Sequence, residues 1–238
     1  MKKENKVESK NKKGFHPTWE ENVYSKGRQL NRYPHHYVVS FIYSKYAKVP
    51  NKSKVKILEL GCGAGNNLWF AAREGFTVAG IDGSVSAIEF AKQRFKSEKL
   101  NCDFKVGDFS SLPWPDNHFD LVLDRGSLTC TSKETIESAL NESKRILKKG
   151  GRLFSMIYSD SHPGKKYGVC IGKNTYDNFS GGYFFGLGTV HFCTRKEINE
   201  IYGERFNIDS VILMTEEDRK NIKPSIVNAI WKIEGTKK

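Results

Sequence analysis

The sequence predicts an α/β chain built on a doubly wound, mainly parallel sheet with helices on both faces. Three observations point there. Short apolar runs of strand length alternate with helical patterns from Val55 to Ile233. The first run, Val55-Lys56-Ile57-Leu58-Glu59-Leu60, feeds directly into the glycine turn Gly61-Cys62-Gly63-Ala64-Gly65. The chain has 238 residues, enough for one α/β domain with a full core.

The elements follow in order. Residues 1–13 carry six lysines against two glutamates and few apolar side chains, and are expected to be a disordered basic tail. Residues 14–50 are aromatic and partly cationic, too rich for a linker, and are expected to form an N-terminal helical cover. Within them Tyr37, Val38, Phe41, Ile42, Tyr46 and Ala47 mark one helical face. Residues 51–238 then form the main domain. After the glycine turn a helix runs through Leu68, Phe70, Ala71 and Ala72 to about Gly75. Thr77–Ile81 is the second strand, closing at Asp82, and Ser84 is placed to cap the next helix. Phe104–Val106 and Phe119–Asp124 are the third and fourth strands. A helix over Thr135–Lys149 stops at Gly150-Gly151, and the fifth strand covers Arg152–Tyr158. Residues 159–190 break the alternation with glycines and aromatics and are expected to be an inserted loop region over the carboxyl edge of the sheet. A helix over Thr194–Tyr202 and strands over Phe206–Met214 and Ile226–Ile233 complete seven strands.

Ligands of such sheets bind at the carboxyl ends of the strands. The glycine turn departs from the dinucleotide fingerprint, because Asn66 stands where the third small residue belongs. Glu59, two residues before the first glycine, suits a cationic ligand better than a pyrophosphate. The run Glu59-Leu60-Gly61-Cys62-Gly63-Ala64-Gly65 resembles the first motif of the class I S-adenosylmethionine-dependent methyltransferases, whose domain is Rossmann-like. Further motifs follow in the family's order: Gly80-Ile81-Asp82-Gly83-Ser84, Gly107-Asp108-Phe109, Phe119–Gly126, and Leu147–Leu153 at the helix-to-strand turn. The resemblance covers about Val55 to Tyr158 and implies a last strand that runs antiparallel. It also implies S-adenosyl-L-methionine as cofactor. Glu59, Gly61, Cys62, Gly63 and Gly65 would lie against its methionine part. Asp82, with Gly83 and Ser84, would hold the ribose, Asp108 the adenine amino group, and Phe109 the ring. Asp124 and Arg125 would stand beside the transferring methyl. For Asp82 and Asp108 the plain alternatives are a helix-capping and a turn residue.

A methyl transfer to oxygen or carbon can need a general base. His191, in Thr189-Val190-His191-Phe192-Cys193-Thr194, is the candidate, ahead of Tyr183 and His162; the alternative is a packed histidine at a helix start. Trp19, Tyr24, Arg28, Arg32 and Tyr183 are candidate acceptor contacts. They suit a polar acceptor with a flat or sugar-like face. The expected activity is methyl transfer to a small molecule, a sugar or nucleotide-sugar derivative first. The alternatives are an RNA or protein methyltransferase, or a cofactor-binding regulator without catalysis.

The formal charge of +12 permits an acidic partner, but part of it sits in the tail. No nucleic-acid motif appears, and neither Asp-Pro-Pro-Tyr nor Asn-Pro-Pro-Tyr is present. A nucleic acid is therefore the less favoured partner. The five cysteines are widely spaced with no Cys-x-x-Cys, which argues against a disulfide framework or a metal cluster and fits a reducing cytoplasm. No metal is expected. No apolar run reaches the length of a membrane span, and no apolar stretch follows the basic start as a secretory leader requires. A monomer or a homodimer is expected.

Overall fold

The computed structural model describes residues 14–220 and 225–238, so the basic tail lies outside the described residues. Strands β1 (Lys56–Leu60), β2 (Thr77–Asp82), β3 (Asp103–Val106), β4 (Phe119–Arg125) and β5 (Leu147–Tyr158) are mutually parallel where they pair. Between β5 and the end of the chain come the short β6 (Val169–Gly172), β7 (Thr175–Asp177) and β8 (Val190–His191), then β9 (Phe206–Asp218) and β10 (Ser225–Lys237). The main sheet has seven strands in the order β3-β2-β1-β4-β5-β10-β9. The last strand, β10, is antiparallel to both β5 and β9. The strand order reverses between β1 and β4, the point where open α/β sheets leave a crevice.

Alternation along each strand builds two cores. Ile57, Val78, Leu121, Leu123, Phe154 and Met156 face one side, where helices α1 (His36–Tyr46), α2 (Asn66–Arg73) and α3 (Val85–Ser97) pack. Leu58, Leu60, Ala79, Ile81, Val122, Leu153 and Ile157 face the other, against α4 (Lys133–Ile146) and α5 (Arg195–Ile201). Period-2 side chains buried on both faces are what a central parallel sheet requires.

Three expectations change. The α1 helix is not part of a cover: Val38, Phe41 and Ile42 are buried, and Phe41 packs tilted against Phe154 of β5 at 4.8 Å between ring centroids. Of the described residues expected in that cover, 14–35 lie over the sheet edge. The helix expected to reach Lys149 ends at Ile146, because Leu147 is already extended and paired with Phe119. Thus the fifth strand starts five residues early and absorbs Gly150-Gly151. The inserted region is not a loop. It contains the three-stranded sheet β6-β7-β8 and its own buried cluster of Phe179, Phe184, Val190 and Phe192. Among the described residues no helix is long and apolar enough to cross a membrane.

Candidate active site

A cavity of about 520 Å³ opens at the carboxyl ends of β1, β2 and β4. Its floor is the glycine turn. Gly61 and Gly63 have φ of +57° and +50°, a region that favours glycine. A Cβ on Gly61 would also lie 2.2 Å from Ser127 Oγ, and one on Gly63 2.6 Å from Tyr24 Oη. The turn is therefore closed to any side chain by both backbone and neighbours.

Asp82 ties the turn to β2. Its carboxylate accepts from Gly63 N and from Ser84 N, each at 2.8 Å. Burial pushes its pKa up to about 6, against the pull of those two amides. Glu59 sits deeper. One oxygen accepts from Asn67 Nδ2 at 2.6 Å, and Asn67 Oδ1 in turn accepts from His35 N at 2.8 Å. The other oxygen, Oε2, has no hydrogen-bond partner in the protein. Burial pushes the Glu59 pKa up to about 8. A buried carboxylate oxygen without a donor, at the edge of a cavity, is a place where a cationic group of a ligand would be favoured.

Residues 14–35 cross the opening. Gly14 N donates to Asp108 Oδ1 at 3.0 Å. Phe15 lies on Gly83, so close that a Cβ there would meet its ring at 2.0 Å. Glu20 accepts from Ser84 Oγ and Ser86 Oγ at the start of α3. Asn66 Nδ2 donates to Tyr33 O at 2.8 Å. His16 meets the inserted region at Gly188, where a Cβ would lie 2.6 Å from its Nδ1.

Of the residues expected at the cofactor, Glu59, Gly61, Cys62, Gly63, Asp82, Gly83, Phe109 and Arg125 line this cavity, as do Trp19, Tyr24, Arg32 and Tyr183 of the acceptor set. The others do not. Gly65 opens α2 and faces Phe104 and Ala91, where a Cβ would stand 3.1 and 3.2 Å away. Ser84 caps α3 through Ala87 N. Asp108 gives one oxygen to Gly14 N, Ser110 N and Ser110 Oγ. Asp124 is fully buried and holds Ser127 N, Leu128 N and Ser155 Oγ, which shapes the turn after β4. Arg28 is exposed on the outside.

His191 is corrected. It has no exposed surface and lines no cavity; its Nδ1 bonds Thr175 Oγ1 at 2.9 Å in the small sheet, and burial lowers its pKa. With Cys193 and Glu197 it forms a trio whose ligand atoms lie within 4.8 Å of one another, which the widely spaced cysteines did not foretell. The trio is enclosed, and one Glu197 oxygen already accepts from Thr194 N, Thr194 Oγ1 and Asn174 Nδ2 in a capping box. Because none of the three lines the cavity, dialysis against a chelator is expected to leave turnover unchanged. Turnover lost and restored by zinc or magnesium would contradict this.

The histidine that the sequence reading passed over is His35. It lines the cavity at the start of α1, and burial, with Arg125 nearby, pushes its pKa down to about 4. It is thus a neutral imidazole at physiological pH, and its Nδ1 has no partner in the protein. Only its place after Tyr33-Pro34, at a helix start, could have drawn attention to it.

Comparison with known proteins gives the class. Residues 57–151 match the family model described as a methyltransferase domain. The chain is 27% identical over 183 residues to phosphoethanolamine N-methyltransferase 3 of Arabidopsis thaliana, covering 72% of this chain and 37% of that one. It is 28% identical to a tRNA N(3)-cytidine methyltransferase of Gallus gallus (66% and 44%) and 31% identical to the fatty-acid O-methyltransferase of Mycolicibacterium smegmatis (58% and 47%). The match spans less than half the length of each of these relatives. Among solved structures, a methyltransferase of Methanosarcina mazei superposes with a TM-score of 0.64 at 24% identity, over 76% of this chain and 92% of that one. Residues 57–151 match a methyltransferase domain, and the seven-stranded sheet has the class I S-adenosylmethionine-dependent methyltransferase fold. The residues present fit the cofactor: the side-chain-free glycine floor, the unpartnered Glu59 oxygen and the Asp82 carboxylate lie on one cavity wall.

Proposed function

We propose that the protein transfers the methyl group of S-adenosylmethionine to a small polar acceptor, a sugar or nucleotide-sugar derivative. The observation that carries this reading is the single cavity in which the glycine floor, Asp82 and Glu59 face a wall of aromatics with Arg32 and Arg125. When bound, the cofactor supplies a methyl already activated on a sulfonium. The chain has to hold the two partners in line and keep water out. Glu59 would balance positive charge on the cofactor's amino-acid end, and Asp82 would accept from the ribose hydroxyls. The segment 14–35, with Phe15 and Trp19, would exclude solvent.

His35 replaces His191 as the residue placed to accept a proton. His35→Asn is expected to lower kcat by about a hundredfold, the low end of general-base contributions, with S-adenosylhomocysteine affinity unchanged. His191→Asn is expected instead to lower the midpoint of thermal unfolding, by about 1–3 kcal/mol of stability, with kcat intact in the folded fraction. Steady-state kinetics beside thermal melts separate the two, and the reverse pattern would restore His191 as the base.

The test of the activity is transfer of label from S-adenosylmethionine to a panel of nucleotide sugars. Phosphoethanolamine, tRNA and a fatty acid serve as comparators, because relatives carry those names. Label in tRNA alone would favour the RNA reading, which the charge of +12 supports. Binding of S-adenosylhomocysteine without transfer to any acceptor would favour a regulator.

A further inference from the structure

A second cavity of about 180 Å³ lies beside the first. The two share a wall made of Arg125, Gly126, Tyr158 and Tyr183. On its far side the second cavity is lined by His162, Glu216 and Asn228. We infer that this cavity is the acceptor subsite, and that it takes one hydroxylated ring bearing one acidic group, carboxylate or phosphate, held by Arg125. The inference rests on the methyl-transfer reading above and names the acceptor's chemistry within it.

The charges decide the class. Arg125 is the one arginine or lysine lining the second cavity among the described residues; it is exposed, and its guanidinium, with no hydrogen-bond or ion-pair partner among them, is open to solvent and to a ligand. His162 adds no charge: its Nδ1 accepts from Gly164 N at 3.0 Å, and burial pushes its pKa down to about 4. The proton then sits on Nε2, toward the Asn228 side chain. An arginine fork left without a partner matches a carboxylate or phosphate better than any neutral group.

The rest of the lining excludes the simpler ligands. A hydrocarbon would strip water from Arg125, Glu216 and Asn228 and return no hydrogen bonds. A bare small anion would satisfy Arg125 but leave Glu216 facing a like charge. A ring with hydroxyls and one acid meets all three: the acid on Arg125, hydroxyls donating to Glu216 and accepting from the Asn228 amide. The wall suits a ring as well. Tyr158, Tyr183 and His162 form a triangle of rings, with Tyr158 at 6.1 Å and 73° from Tyr183 and at 5.0 Å and 67° from His162, and the last two 6.4 Å apart. Because Arg125 also lines the first cavity, the acid would lie next to the atom that receives the methyl.

The experiment uses the full chain saturated with S-adenosylhomocysteine and ligand-observed NMR titration of D-glucuronate, D-glucose 6-phosphate and D-glucose. At least one anionic probe is expected to bind tenfold or more tighter than glucose, and which one does so distinguishes carboxylate from phosphate. Asn228 lines the second cavity and not the first. Asn228→Trp, which fills the second cavity, is expected to weaken that probe tenfold or more while S-adenosylhomocysteine binds within twofold of wild type. Asn228→Ser, which adds no bulk, serves if the larger residue disturbs β10, and is expected to weaken the probe about threefold. Equal binding of all three sugars, no sugar binding to protein that binds S-adenosylhomocysteine, or full retention of the probe in both variants would overturn the inference and leave the methyl-transfer reading standing. Failure of S-adenosylhomocysteine itself to bind would remove both.

Discussion

Asp82→Ala is expected to weaken S-adenosylhomocysteine binding by about 1–3 kcal/mol, roughly five- to 150-fold, as for lost hydrogen bonds to a charged group. Asp82 does two things at once. On the proposed reading it would face the ribose, and it already holds Gly63 N and Ser84 N. Alanine therefore removes the acceptor and also releases the glycine turn from β2. Asp82→Asn separates the effects. Its amide keeps one oxygen but presents an NH2 to one of the two backbone donors, so one of those bonds is lost. The asparagine variant is expected to fall between wild type and alanine. Isothermal calorimetry measures both, and an alanine variant with wild-type affinity would remove Asp82 from the cofactor site.

The second large effect concerns the two covers. Residues 14–35 and the inserted region are expected to slow their amide exchange when S-adenosylhomocysteine and acceptor bind. The first cover is held by a few polar tethers, Gly14 to Asp108, Glu20 to Ser84 and Ser86, Asn66 to Tyr33 and His35 to Asn67, and by a small apolar contact of Phe15 on Gly83 with Val23 buried. Such contacts open at lower cost than a packed core. The insertion is different. Its Phe179, Phe184, Val190 and Phe192 are buried together, so its inner part is expected to exchange slowly even without ligand. The ligand effect should concentrate in residues 14–35 and in the exposed rim around Tyr183 and Phe185. Glu20→Ala should speed exchange in the first cover several-fold. Full protection of residues 14–35 in the free protein would leave nothing to close.

The sheet was legible because its signal is local. Ile57, Leu58 and Leu60, or Leu121, Val122 and Leu123, announce buried strands within a few residues, and a glycine turn after the first fixes the edge where ligands sit. Asp82, read from its place at the end of a strand, and Phe109, expected from the family resemblance, both line the cavity. What failed depends on distant partners. Nothing near His191 shows that Thr175, sixteen residues earlier, will bond its ring inside a small sheet. Nothing near His35 shows that Asn67 will hold its backbone at the cavity. The strands β6, β7 and β8 are two to four residues long, too short for alternation to register above the glycines around them. The extension of β5 back to Leu147 rests on pairing with β4, which the double glycine concealed.

The contact between His16 and Gly188 links the two covers across the mouth of the cavity. The first cover lies on Gly83 and Asp108, over the deep end, while Tyr183 of the second stands at the wall toward the outer cavity. On the proposed reading, a molecule at the deep end would be held in while the outer one is bound and the covers stay joined. Binding is then expected to be ordered, with the methyl donor entering before the acceptor and the spent donor leaving after the methylated product, and product-inhibition kinetics would show it.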